Sequence, residues 1–116
     1  MSELEDLAGG FVVVLVTASS ADEAARLGHG LVGERLAACA NVVGPIRSIY
    51  RWHDAVEEAA EHLLILKARA ADVPALEARV RALHSYDVPE VIALPVVAGS
   101  AAYFAWLATA TARDAQ

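Results

Sequence analysis

The 116-residue chain carries a single cysteine, Cys39. One cysteine excludes an intrachain disulfide and any zinc motif built on cysteine pairs. Basic side chains are also scarce: nine Lys and Arg stand against fifteen Asp and Glu, a formal net charge of −6, with no Lys/Arg block. Phosphate neutralisation supplies most non-specific nucleic-acid affinity, so no nucleic-acid partner is expected. An acidic membrane surface is excluded on the same ground. Long apolar runs are missing. The longest, residues 11–16 and 91–98, fall far short of the ~20 residues that cross a bilayer, and the second contains Pro95. Residues 1–10 are acidic and lack the basic start and apolar stretch of a signal peptide. A cytoplasmic location is therefore expected.

What is present is a composition 57% hydrophobic, much of it alanine, in a length usual for one domain. Residues 11–16 are a continuous β-branched run that predicts a strand buried on both faces. Ser20 and Glu23 have the spacing of a capping box. The helix they open is predicted to run to about Leu36, with Ala24, Leu27, Gly28, Leu31 and Val32 as its apolar stripe. Residues 40–52 predict a second strand interrupted at Gly44-Pro45 by a bulge or bend. Its period of two puts Ile46, Ser48, Tyr50 and Trp52 on one face and Arg47, Ile49 and Arg51 on the other. After a short connection at His53-Asp54, a third strand is predicted over 56–68, completing a long hairpin. Asp72 as N-cap and Pro74 in the first turn open a second helix through Val73, Leu76, Val80 and Leu83. An extended link over 86–90, a fourth strand over 91–97 and a Ser100-capped helix over 101–111 complete the order. Residues 1–9 and 113–116 are expected to be flexible, flanking a domain at 10–112.

The order strand-helix-strand-strand-helix-strand, plus a terminal helix, predicts an α+β, ferredoxin-like antiparallel sheet with both main helices on one face. The open face of such a sheet is normally polar. Here Val13 and Leu15 oppose Val12, Val14 and Val16, and Leu63 and Ile65 oppose Leu64 and Leu66. An apolar patch of that extent rarely stays open to water, so the terminal helix and self-association are expected to cover it.

Four ordered runs carry a resemblance: residues 34–41 (ERLAACAN), 48–52 (SIYRW), 83–95 (LHSYDVPEVIALP) and 97–103 (VAGSAAY). Together they resemble the CutA family of divalent-cation tolerance proteins over about residues 11–110. The resemblance implies a ferredoxin-like fold, a homotrimer related in architecture to the PII signalling proteins, and a role in the response to metal ions such as copper. It implies no catalytic reaction. An alternative is a PII-like module that binds a small anionic ligand between subunits.

His84, Tyr86 and Glu90 gather at the link after the second helix. Imidazole and carboxylate suit copper or another divalent metal, so His84 and Glu90 are the expected metal ligands; the competing reading of His84 is a histidine at a helix C-terminus. Some family members place a cysteine near the end of the first strand, where this chain has Val16-Thr17. Cys39 reads as a buried, inert thiol, and strand directions set it at the opposite end of the sheet from His84. Tyr50, Trp52, Lys67 and Tyr86 are expected at a subunit interface or pocket, with Arg47 and Arg51 beside them. His29, His53 and His62 read as surface residues, and Glu57, Glu58 and Glu61 as a solvated charged edge. Gly28-His-Gly-Leu-Val-Gly33 matches G-x-G-x-x-G, but lies inside a helix rather than at its start, so a dinucleotide fingerprint is rejected. Gly28 there is expected to permit close packing.

Overall fold

The computed structural model describes residues 10–113. Of the flexible ends expected at 1–9 and 113–116, residues 1–9 and 114–116 lie outside the described residues. The elements are β1 (Phe11–Ala18), α1 (Ala21–Gly33), β2 (Cys39–Trp52), β3 (Ala55–Arg69), a short 3-10 turn (Ala70–Asp72), α2 (Val73–Leu83), β4 (Ile92–Pro95) and α3 (Ala101–Ala110). The described strands form one antiparallel sheet in the order β2-β3-β1-β4. No helix among the described residues is long and apolar enough to cross a membrane.

One face of the sheet meets α1 and α2. Val14, Val16, Leu64 and Leu66 are fully buried there against Leu27, Leu31, Leu76 and Val80. Each such side chain contributes roughly 1.5–3 kcal/mol by leaving water. Small residues set the spacing. A Cβ on Gly28 would stand 3.1 Å from the Ala40 Cβ, and one on Gly30 would stand 3.3 Å from Leu83 Cδ1, so α1 lies close to both β2 and α2.

Among the described residues the other face is covered only at one end. Phe11 stacks on Phe104 with ring centroids 5.8 Å apart, and Leu107 completes this second cluster. Arg69 ties α3 down by donating to Thr111 Oγ1 and the Ala108 carbonyl, both at 2.8 Å. Beyond that corner Val13, Leu15, Leu63 and Ile65 are only partly covered, and Val43, Ile92 and Leu94 are exposed.

The hairpin outgrows the sheet. β1 pairs with β3 only over His62–Arg69, whereas Ala55–Glu61 pairs with β2 alone. These seven residues make an arm of roughly 24 Å at about 3.4 Å per residue. Its tip is His53-Asp54, both in the left-handed region (φ 48° and 65°), the pattern of a type I′ turn. The interruption expected at Gly44-Pro45 is a register shift between Val43 and Ile46.

Several expectations are corrected. The first helix stops at Gly33, not Leu36, because Arg35 turns left-handed (φ 62°). Arg35 N–H then donates to the Val32 carbonyl and Leu36 N–H to the Leu31 carbonyl, a Schellman cap that takes up helix-end acceptors and docks Leu36 on the core. Asp72 is not a side-chain cap: it is already helical (φ −91°, ψ −3°). Its carboxylate receives both terminal nitrogens of Arg113, at 3.0 and 2.6 Å. Arg113 also donates to the Arg35 carbonyl, so it belongs to the fold rather than to a loose end. The fourth strand covers only Ile92–Pro95, since β1 offers it four partners, Val12 to Leu15.

A left-handed non-glycine residue costs about 1–2 kcal/mol. Arg35→Gly is therefore expected to be more stable than Arg35→Val by about that amount, read as the difference in unfolding free energy in urea.

Candidate functional site

The arm, the end of β1 and the link after α2 enclose a cleft of about 720 Å³. Tyr50, Trp52 and Tyr86 supply its aromatic surface, and Glu57, Glu61, Asp87 and Glu90 its carboxylates; Thr17, Ser48, Ile49 and Val88 complete the lining. Among the described residues no lysine or arginine lines it. Cross-strand pairing explains the grouping: Tyr50 opposes Glu57 and Ser48 opposes Ala59 on the sheet face that α1 and α2 leave open.

Glu61 is the buried member, 8% exposed. Its Oε2 accepts a 2.8 Å hydrogen bond from the Tyr86 hydroxyl, which anchors the link to the arm. Burial, reinforced by the Glu61 carboxylate, pushes the Tyr86 phenol up to about 12 and keeps it neutral.

The link is held by a second network behind the cleft. Ser20 Oγ accepts from Glu23 N–H at 3.1 Å, as the capping box requires. The reciprocal half differs. Glu23 Oε1 accepts from the Ser19 backbone N–H and hydroxyl, at 2.9 and 2.8 Å, while Oε2 reaches across to the Ser85 N–H at 2.8 Å. Glu23 thus joins the start of α1 to the end of α2. Burial alone would raise its carboxyl, but the hydrogen bonds from Ser19 and Ser85 together outweigh it and bring it down to about 2.

His84 sits inside this network, its side chain fully buried. Nε2 lies 2.8 Å from the Thr17 carbonyl and Nδ1 lies 3.0 Å from Tyr86 N–H. A carbonyl can only accept and a backbone N–H can only donate. Nε2 is therefore the donor to Thr17, and the Nδ1 lone pair is taken by Tyr86 N–H.

The structure brings Tyr50, Trp52, Tyr86 and Glu90 to one cleft and leaves two expected residues out of it. His84 is behind the wall, with neither nitrogen open to a metal, while Glu90 is exposed at the cleft. The expected His84–Glu90 ligand pair is thus not assembled in this chain, and no group of three His, Cys, Asp or Glu among the described residues converges to hold an ion. Lys67 lies at the far end of the sheet beside its partner Cys39 and donates to Asn41 Oδ1; it forms no ion pair among the described residues. Cys39 Sγ lies 3.8 Å from the Tyr103 hydroxyl. The Cys39 and His84 ends are separated by four residue steps along β1, from Val13 to Thr17, or roughly 14 Å.

Two functional residues escaped the sequence reading. Glu61 was expected on a solvated edge, and Glu23 only as a cap. Both carried a signal. Glu61 has the same parity as Leu63 and Ile65, and Glu23 lies four residues before Leu27 on the buried stripe. His62, expected at the surface, is half-buried beneath Gly44, and its Nδ1 has no hydrogen-bond partner among the described residues.

A carboxyl held near 2 when folded, against an ordinary 4.5, binds fewer protons in the native state. Its stabilisation is complete above about pH 4.5 and is lost as pH falls towards 2, worth about 3 kcal/mol at neutral pH. Glu23→Gln is expected to remove much of that, because its amide keeps one acceptor oxygen where the carboxylate has two and its NH2 must then face the donors of Ser19 or of Ser85, and to flatten stability between those pH values. Urea unfolding at a series of pH values measures both effects.

The comparisons agree with this geometry. The family profile described as "CutA1 divalent ion tolerance protein" matches residues 12–110. The "Divalent-cation tolerance protein CutA" of Thermus thermophilus is 47% identical over 95 residues, 82% of this chain and 92% of that one. The rice protein "CutA 1, chloroplastic" is 45% identical over 100 residues, 86% of this chain but 56% of that one, and human "Protein CutA" is 40% identical over 103, 89% and 58%. The chain thus spans a little over half the length of these plant and human relatives. Among solved structures, the Thermus thermophilus protein superposes with a TM-score of 0.86 at 45% identity, covering 88% of this chain and 99% of that one. Rice CutA1 superposes with 0.88 at 42%, covering 93% and 99%. The chain belongs to the CutA1 family of divalent ion tolerance proteins.

Proposed function

We propose that this protein is a divalent-cation tolerance protein that works as a ferredoxin-like homotrimer and binds copper or another divalent ion, as a binding protein rather than an enzyme. The family match across residues 12–110 carries the reading. The trimer is supported by the open sheet face and by the arm. Ile49, Trp52 and Val56 stand exposed on the arm, and a two-stranded ribbon is marginal in water by itself. A neighbouring copy laid over that face would cover Val13, Leu15, Leu63 and Ile65 as well. A cytoplasmic location stays part of this reading.

For the metal, Glu90 is the expected ligand that remains accessible, and the acidic cleft favours cations by its charge. The same four carboxylates disfavour the alternative of a small anionic ligand, which would need basic partners.

Sedimentation velocity is expected to give a trimer, and a stable monomer would overturn the assembly. In copper titrations Glu90→Gln is expected to bind more weakly than wild type. His84→Ala is expected to lose stability by about 1–3 kcal/mol, because the Tyr86 N–H loses its buried acceptor, without losing copper affinity relative to folded protein. Equal affinity in Glu90→Gln would remove that ligand.

A further inference from the structure

His62 stands where the sheet narrows into the arm. It is the first residue of β3 to pair with β1, opposite Ala18, and on its arm side β3 pairs with β2 alone among the described strands. On β2 the register passes from Val43 opposite Leu63 to Ile46 opposite Glu61, so Gly44 and Pro45 together stand against His62. Two residues against one make a β-bulge, which bends its strand and sharpens the local twist. The bend and the end of the wider sheet thus coincide at one residue.

The bulge is seated on the imidazole. A Cβ on Gly44 would stand 2.5 Å from His62 Cδ2, 2.8 Å from Cγ and 3.0 Å from Nε2, so the backbone there lies directly against the ring. His62 has the parity of Leu64 and Leu66, which places it on the face that α1 and α2 cover and not on the open one. Its partner across the strands, Ala18, is fully buried. Nδ1 is buried without a hydrogen-bond partner among the described residues, so packing, and not a bond at that atom, fixes the angle of the ring. Close-packed contacts of this kind transmit displacement instead of absorbing it.

We propose that Gly44 and His62 form a fixed joint that sets the angle at which the arm leaves the sheet. They are positioning residues, and the magnitude of the lever shows why the angle matters. A tilt of about 10° at the root carries the tip of an arm of roughly 24 Å through about 4 Å. That is the depth of a side chain, enough to take Ile49, Trp52 and Val56 out of register with whatever surface receives them. The use of the joint in assembly rests on the trimer proposed above; the joint itself does not.

Double electron–electron resonance reads the arm angle directly. Nitroxides are placed on Ala25→Cys, exposed on α1, and Ala55→Cys, at the arm tip, in a Cys39→Ser background. Labelled subunits are diluted with unlabelled ones, so that only distances within one subunit are read. Gly44→Ala is expected to move the distance by about 2–4 Å, the response to a tilt of about 5–10° at the root. His62→Ala removes the seat, so adding Gly44→Ala to it is expected to change the distance no further. The joint is overturned if Gly44→Ala keeps the wild-type distance, or moves it as far without the ring as with it. If Gly44→Ala alone does not fold, a folded double variant supports the joint and an unfolded one overturns it.

Sedimentation velocity on the unlabelled proteins separates the two readings. Gly44→Ala is expected to dissociate at about tenfold higher concentration than wild type, on the order of one lost contact. A monomeric wild type removes the trimer and leaves the joint to the distance measurement. A shifted distance with wild-type assembly removes the joint from assembly.

Discussion

A sheet that is apolar on both faces, with two of the described helices on one face and the third covering just a corner of the other, is the constraint on which the rest of this molecule depends. Val12, Val14 and Val16 are satisfied by α1 and α2, whereas Val13 and Leu15, one residue away, point to the opposite side. The terminal helix answers part of that demand through Phe104 and Leu107, but it reaches only the Phe11 end. At the other end the sheet continues into an arm that no described element of the same chain covers. A second copy is the natural cover, since the arm and the face would then solve each other's exposure.

The cleft arises at the boundary of that uncovered region, and its shape depends on polar contacts rather than on apolar packing. Glu23 ties the start of α1 to Ser85, His84 bridges Thr17 and Tyr86, and Tyr86 reaches over to Glu61. Glu23, Glu61 and His84, the buried members, each spend a polar group on these contacts, which ties the link to both α1 and the arm. An imidazole wedged between a carbonyl and an N–H serves this positioning well, and both of its nitrogens are taken in doing so. The structure gives His84 a positioning role behind the wall, and the lining of the cleft is left to carboxylates and aromatic rings.

The legible parts of the fold were those governed by local periodicity. Ser20 and Ser100 cap their helices as their spacing predicts. The illegible parts turned on partners distant in the chain. Nothing near Arg35 marks it as left-handed; the need to dock Leu36 on the core does. Asp72 has the composition of a cap, but Arg113, forty-one residues later, takes its carboxylate. His84 and Glu90 share a loop and a chemistry, yet only one of them faces the cleft.

By itself the sequence determined the element order, the apolar stripes and the excess of apolar sheet surface, because side-chain alternation and helical periodicity are properties of neighbours in the chain. It also carried the family motifs. Only the tertiary structure decided which carboxylate is buried without a charged partner, because that depends on the register that places Glu61 beneath Tyr86 and away from every described basic residue. Hydrophobic pattern is written residue by residue, whereas electrostatic pairing belongs to three-dimensional distance.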